Sequence, residues 1–417
     1  MAPATLNIAI RKFGPFEQAI KQQFEDFRHE TDVDCKLELT ALDLDPHYET
    51  LFGPSGLKDG SIDMGLLVTD WLPMAATDGH LLNLAPLIEA NSPPDYPHGW
   101  CPSLIRLQQI EGGVFGLPYH DGPQCLIYRK DLFETPEHRD AFKERFSRSL
   151  QPPASWDDYL DIVRYFRDVS DIYGTVLAAF PDAHNTVYDF CIQVWSRGGE
   201  ITDQSGRSTL LTSAAEAALD FYRTLAKRDG ELIYPDPRSI DSVRSGEIFA
   251  DGKIALMTNW FGFAAYAASH PDSQVKDLID IAPIPAGSGG AGAATSLNIY
   301  WVLAIGAGCR HPDLAYSFIR HCTTPAMDKL TSTAGAIGCR RSTWNAPEIQ
   351  AAVPFYAGLE ALHADARELP SDPRFPELAH IIDDLVSLAI TTDTPSAELL
   401  ASAQAKVKEK FADEEGS

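Results

Sequence analysis

Apolar positions along the first forty residues change period twice. Residues 6–10 alternate as a strand does, residues 15–28 place Phe16, Ile20, Phe24 and Phe27 on one helical face, and residues 35–40 alternate again. Strand, helix and strand in that order predict a parallel sheet. The apolar run 64–68 supplies a third strand that ends at Thr69, Asp70 and Trp71, and residues 81–88 read as a short helix after a turn at Gly79. Side chains at the carboxyl ends of parallel strands face a ligand crevice, so Arg11, Asp43, Asp70 and Trp71 are candidate binding residues.

A second α/β region follows. Helices are predicted over 156–167, 188–197 and 214–227, the last with Leu219, Tyr222 and Leu225 at helical spacing. Prolines at 283 and 285 make 279–285 an extended crossing and disfavour a central strand. A loop is expected over 287–292, a strand over 300–305, a helix over 312–322 and a closing helix over 397–411, before an acidic stretch at 412–417. A chain of 417 residues with this alternation predicts an α/β protein of two or three compact units.

Charge narrows the partners. With 59 acidic against 34 basic residues and a formal charge of −25, the chain repels phosphate backbones and anionic lipid surfaces, so nucleic acid is not expected as a partner. No apolar run reaches the roughly 18 to 20 residues of a spanning helix. The first strand begins at residue 6, which leaves no room in this chain for a signal peptide. Seven cysteines, odd in number and without a CxxC pair, point neither to a disulfide framework nor to a metal site, and fit a reducing compartment slightly better than an oxidising one. Enzyme motifs fail on spacing: there is no GxSxG or HExxH, and the near phosphate loop 246–254 has one residue too many and no Ser or Thr after its lysine. The GxGxxG-like run 287–292 precedes a strand-like segment where that motif needs a helix. No catalytic residue, cofactor or metal is expected.

Several segments, in order, resemble the extracellular solute-binding proteins of ABC importers, the family that includes maltose- and oligosaccharide-binding proteins. Residues 113–133 (GVFGLPYHDGPQCLIYRKDLF) carry the strongest likeness. Residues 63–71 with 79–84, the PASWDDY segment at 153–159, FADGKIALMTNW at 249–260 and the helix 312–322 add to it. The resemblance implies two lobes, each a mainly parallel sheet flanked by helices, with lobe 1 formed by 1–121 and 285–326 and lobe 2 by 122–284 and 327–417. It implies crossings near Gly122, Pro283 and Pro325 and a solute bound between lobes that close like a hinge. It further implies a monomer, periplasmic or lipid-anchored at the cell surface, that carries a mono- or oligosaccharide to membrane permease subunits.

A sugar offers apolar C–H faces for stacking and hydroxyls for polar groups. Trp71, Tyr119, Trp260 and Trp301 are therefore the candidate platforms, and Asp70, His120, Asp121, Asn185, Asn259, Asn298 and Arg341 the polar partners. Each has a plainer reading: Trp301 could belong to the core, Asp121 could cap the Gly122-Pro123 turn, residues 181–185 could be a surface loop, and only one of Arg340 and Arg341 is expected to face the solute. A glycoside-active enzyme using cleft carboxylates is the alternative.

Overall fold

The computed structural model describes residues 3–203, 206–228, 231–290 and 292–411. The acidic stretch 412–417 lies outside the described residues, as does position 291 of the predicted loop. In chain order the strands that build the two principal sheets are β1 (Ala4–Arg11), β2 (Cys35–Leu42), β3 (Met64–Val68), β4 (Leu117–His120), β5 (Gln124–Arg129), β6 (Leu256–Trp260), β7 (Ile279–Ala282) and β8 (Trp301–Ile305). The chain divides into two compact units, one of residues 1–123, 298–363 and 371–375, the other of 124–297, 364–370 and 376–417.

The first unit is a five-stranded sheet in the order β2-β1-β3-β8-β4. Its first three strands run parallel, as the opening strand, helix and strand require, while β8 is antiparallel to both β3 and β4. The helix Gly14–Thr31 buries the predicted face, Phe16, Ile20, Phe24 and Phe27, and a proline in its first turn pre-sets the backbone for helix entry. Against that face packs the helix Pro312–Cys322, with Phe318 5.4 Å from both Phe24 and Phe27, ring centre to ring centre. Leu66, Leu303 and Ile305 of the sheet join the same cluster.

The segment 327–363, assigned to the second lobe by the family likeness, belongs to the first unit. The helix Pro325–Thr333 is held there by Gln23, whose amide donates to the Met327 carbonyl (3.0 Å) and the Thr331 hydroxyl (2.9 Å). The chain therefore leaves this unit at His363 rather than near Pro325, and enters it again at Asn298 rather than near 285. The predicted helix 81–88 shortens to Ala85–Ala90, because Leu81 bridges to Gly306 and the Leu82 N–H donates to the Ile305 carbonyl (2.8 Å).

The second unit holds the sheet β6-β5-β7, antiparallel throughout, where the family likeness implied parallel strands. Parallel pairing among the described residues of this unit is limited to a two-residue ladder, Ser296–Leu297 with Ala366–Arg367, and to isolated bridges such as Tyr173 to Ile254 and Thr175 to Ile233. The β7 strand lies at the sheet edge, so the prolines that follow it remove no ladder bond. The helix Trp156–Val169 opens on a reciprocal cap, Ser155 accepting from the Asp158 N–H (3.1 Å) and Asp158 from the Ser155 N–H (3.2 Å). Helices Asn185–Ser196 and Ser213–Arg223 pack beside it through Trp156, Tyr159 and Phe221.

Phe24→Ala removes a ring from the center of the first unit and should lower its unfolding free energy by about 3–5 kcal/mol. Urea titration followed by tryptophan fluorescence reads this directly, and a loss below about 1 kcal/mol would mean that the aromatic cluster collapses around the void.

Candidate functional site

One edge of the first sheet gathers most of the predicted residues. The register pairs Trp301 with Val68 on one side and with His120 on the other, so the start of β8 stands between the ends of β3 and β4. Trp71, on the short turn Thr69–Trp71 after β3, meets Trp301 edge to face at 6.2 Å. Phe16 lies 6.2 Å from Trp301 and 4.8 Å from His120, and His47 lies 5.9 Å from Trp71 and 6.4 Å from Trp301. Trp71 is buried, whereas Trp301, His120 and Asp70 keep partly exposed surface. Arg11 and Asp43, at the ends of β1 and β2, form an ion pair at 3.1 Å.

Two histidines of this group have assigned protons. The Ile337 N–H donates to His120 Nδ1 (2.9 Å), which leaves the ring neutral with its proton on Nε2. His47 Nε2–H donates to the Leu66 carbonyl (2.7 Å), and Nδ1 is a buried acceptor with no hydrogen-bond partner among the described residues. Burial disfavours the imidazolium and pushes each ring down to about 4. Apart from the partly exposed Asp70, the edge thus offers rings and neutral polar groups.

The second unit carries a smaller corner. Trp260 ends β6, and its indole N–H donates to the Asn185 side-chain oxygen (3.3 Å) at the start of the helix Asn185–Ser196. Tyr188, one turn along, meets the Trp260 ring at 5.6 Å.

Other expected residues face elsewhere. Successive strand side chains point to opposite faces, so Tyr119 cannot accompany His120. It is buried with Leu117 in the core and donates its hydroxyl to Gln23 (2.9 Å). By the same alternation Asn259 turns away from Trp260 and donates to the Ser242 carbonyl (3.1 Å) and the Ser245 hydroxyl (2.9 Å). Asn298 is buried and donates to the Ser103 carbonyl (2.9 Å). The Asp121 carboxylate is bonded to His363 Nε2 (2.7 Å), with both side chains 1% exposed, and Ser103 hydrogen-bonds the other ring nitrogen (3.1 Å). Arg341 is an exposed surface residue paired with Glu360. Its neighbour Arg340 is the buried one, an internal tie that donates to the Thr323 and Pro94 carbonyls (2.6 Å each) and stacks 4.0 Å over Trp100.

Sequence reasoning missed His47 as a site residue, assigned Phe16 to the core alone and read Tyr188 only as a helix start. His47 follows β2 in a polar stretch without distinguishing spacing. The three-residue step from Asn185 to Tyr188, facing a strand that ends in Trp260, was the legible signal for the corner. Among the described residues no group of three or more His, Cys, Asp or Glu side chains could hold a metal ion, and no helix is long and apolar enough to cross a membrane.

Comparison with known proteins agrees with this architecture. The family model for bacterial extracellular solute-binding proteins matches residues 17–329, and the chain belongs to that family. A mannitol-binding protein of Pseudomonas aeruginosa is 24% identical over 339 residues, covering 73% of this chain and 70% of the relative. Among solved structures, maltose-bound MalE3 of T. maritima superposes with a TM-score of 0.84 at 22% identity, over 98% of this chain and 100% of that one. A solute-binding protein of Agrobacterium radiobacter K84 in complex with ribitol gives 0.83 at 20% identity, over 98% and 99%.

The two neutral histidines make stability depend on acid. The unfolded chain takes up protons at these rings near the ordinary imidazole value of 6.5, whereas the folded protein holds out to about 4. Their contribution is complete above 6.5 and is lost as pH falls through that window. The unfolding midpoint should therefore drop between pH 6.5 and 4, and drop less steeply in His47→Gln, which keeps a donor for the Leu66 carbonyl. Equal slopes in the two proteins would show that His47 titrates alike folded and unfolded.

Proposed function

We propose, with membership of the solute-binding family as the premise, that this chain is the substrate-binding component of an ABC importer and takes a neutral polyhydroxyl solute, a sugar or a polyol. The observation that carries the reading is the ring cluster of Trp71, Trp301 and Phe16 beside the neutral donors and acceptors of His120 and His47. Such a surface stacks on C–H faces and hydrogen-bonds hydroxyls without supplying a cation for a phosphate or carboxylate. The one arginine at this edge is already engaged by Asp43, and the formal charge of −25 disfavours an anionic cargo. The ribitol and maltose bound by structural relatives, and the mannitol in the name of the Pseudomonas relative, support the same chemical class.

The protein acts by binding rather than by catalysis. Of the candidate binding carboxylates, Asp121 and Asp43 are committed to His363 and Arg11. Delivery to permease subunits, and a place in the periplasm or tethered to the outer face of the cell membrane, follow from the family's role.

A thermal-shift screen with ribitol, D-mannitol, maltose and sugar phosphates tests this, because a ligand of the native state raises the midpoint. A neutral sugar or polyol should give the shift and be recovered unchanged, and Trp301→Ala should weaken it by ~1–3 kcal/mol, roughly five- to 150-fold. A shift from sugar phosphates alone, or recovery of an altered compound, would overturn the reading.

A further inference from the structure

Beneath the Trp260 corner of the second unit lies a recess that the reading above does not use. Asn185 and Asp189 stand one turn apart on the same face of their helix, and Thr258 and Trp260 two residues apart on one side of β6. Asp189 and Thr258 line the recess, while Asn185 and Trp260 stand beside it. There Asp189 accepts a hydrogen bond from the Gln124 amide (2.8 Å), and a cavity of about 20 Å³ is lined by Asp189, Gln193, Tyr222, Ser245 and Thr258 among others. A space of that size holds one water-sized group and no more.

The walls call for a polar occupant. Tyr222 is 2% exposed and its hydroxyl has no hydrogen-bond partner among the described residues. Leaving such a group unpaired is unfavourable, and native proteins rarely do so. Asp189 keeps part of its surface accessible, so the recess has an open side. Burial of its carboxyl pushes it up to about 7, which lets it present both a donor and an acceptor form near neutrality.

We propose that this recess is a one-oxygen specificity pocket, in which Asp189 and Tyr222 hold a single hydroxyl of the bound polyol or sugar. The inference rests on the solute-binding reading and adds to it the group that is recognised. A pocket built to pair a hydroxyl penalises a solute that lacks one at that place, because Tyr222 and Asp189 then stay unpaired. An aromatic floor alone makes no such distinction.

Isothermal titration of the full chain with D-mannitol, ribitol and maltose tests both levels. For whichever of the three binds wild type most tightly, Tyr222→Phe and Asp189→Asn should each weaken binding about tenfold. Tyr222→Phe should do so with the unliganded unfolding midpoint unchanged or raised, since it deletes only an unpaired hydroxyl. If both variants bind as tightly as wild type while Trp260→Ala binds more weakly, the recess holds only water, and the proposal falls with the solute-binding reading intact. If none of the three compounds binds wild type, the polyol and sugar reading falls, and this inference with it.

Discussion

The strand β8 closes the first unit, and most of what that unit presents depends on its arrival. It occupies the fourth place in a five-stranded sheet whose other members all come from the first 120 residues, and it pairs on both edges, with β3 and with β4. Until it docks, Leu66 lacks its cross-strand partner Leu303, and β3 and β4 end on unpaired backbone. Because β8 runs antiparallel to β3, its first residue rather than its last reaches the edge where the parallel strands end. Trp301 is therefore set beside Trp71 by the same hydrogen bonds that complete the core. Removing that strand would unmake core and site together, a coupling that short-range pattern cannot express.

Local pattern was enough wherever local physics decides. The face of Gly14–Thr31, the strands β1 to β3, the capped start at Ser155 and the helix Pro312–Cys322 could all be read from period and capping residues. What could not be read are matters of long-range pairing. The antiparallel sense of β6-β5-β7 joins segments 120 or more residues apart, and nothing within a strand records its partner's direction. The placement of 327–363 rests on long-range contacts, among them two hydrogen bonds from Gln23, some 300 positions away, and the bond between His363 and Asp121. Leu81 had the composition of a helix start, but a bridge to Gly306 claimed its backbone.

Site residues divide along the same line. Trp71, Trp301, His120 and Trp260 lie at or just past strand ends, where topology brings such residues together. Tyr119 and Asn259 were each adjacent in sequence to a better-placed residue, and the two-residue period of a strand puts them on the opposite face. In both cases reading the strand phase outward from its apolar core positions would have separated the pair. The two arginines could not be separated by pattern. Arg340 is bonded to Thr323 and to Pro94, the latter far from it in sequence, while Arg341 pairs with Glu360 on the surface.

An acidic protein that takes a neutral cargo must keep its own charge out of the binding surface. Here the candidate site achieves that in three ways, each readable in its contacts. Arg11 is offset by Asp43, His120 and His47 are held neutral by burial and by backbone partners that fix their tautomers, and Asp121 is paired with His363 away from solvent. What remains at the first unit's edge, Asp70 aside, is rings and oriented dipoles. Dipoles of this kind discriminate by direction and distance, which hydroxyl positions supply and bulk charge does not. With less long-range electrostatic attraction to draw a solute in, selectivity at such a surface falls to the number of hydroxyls that find a partner.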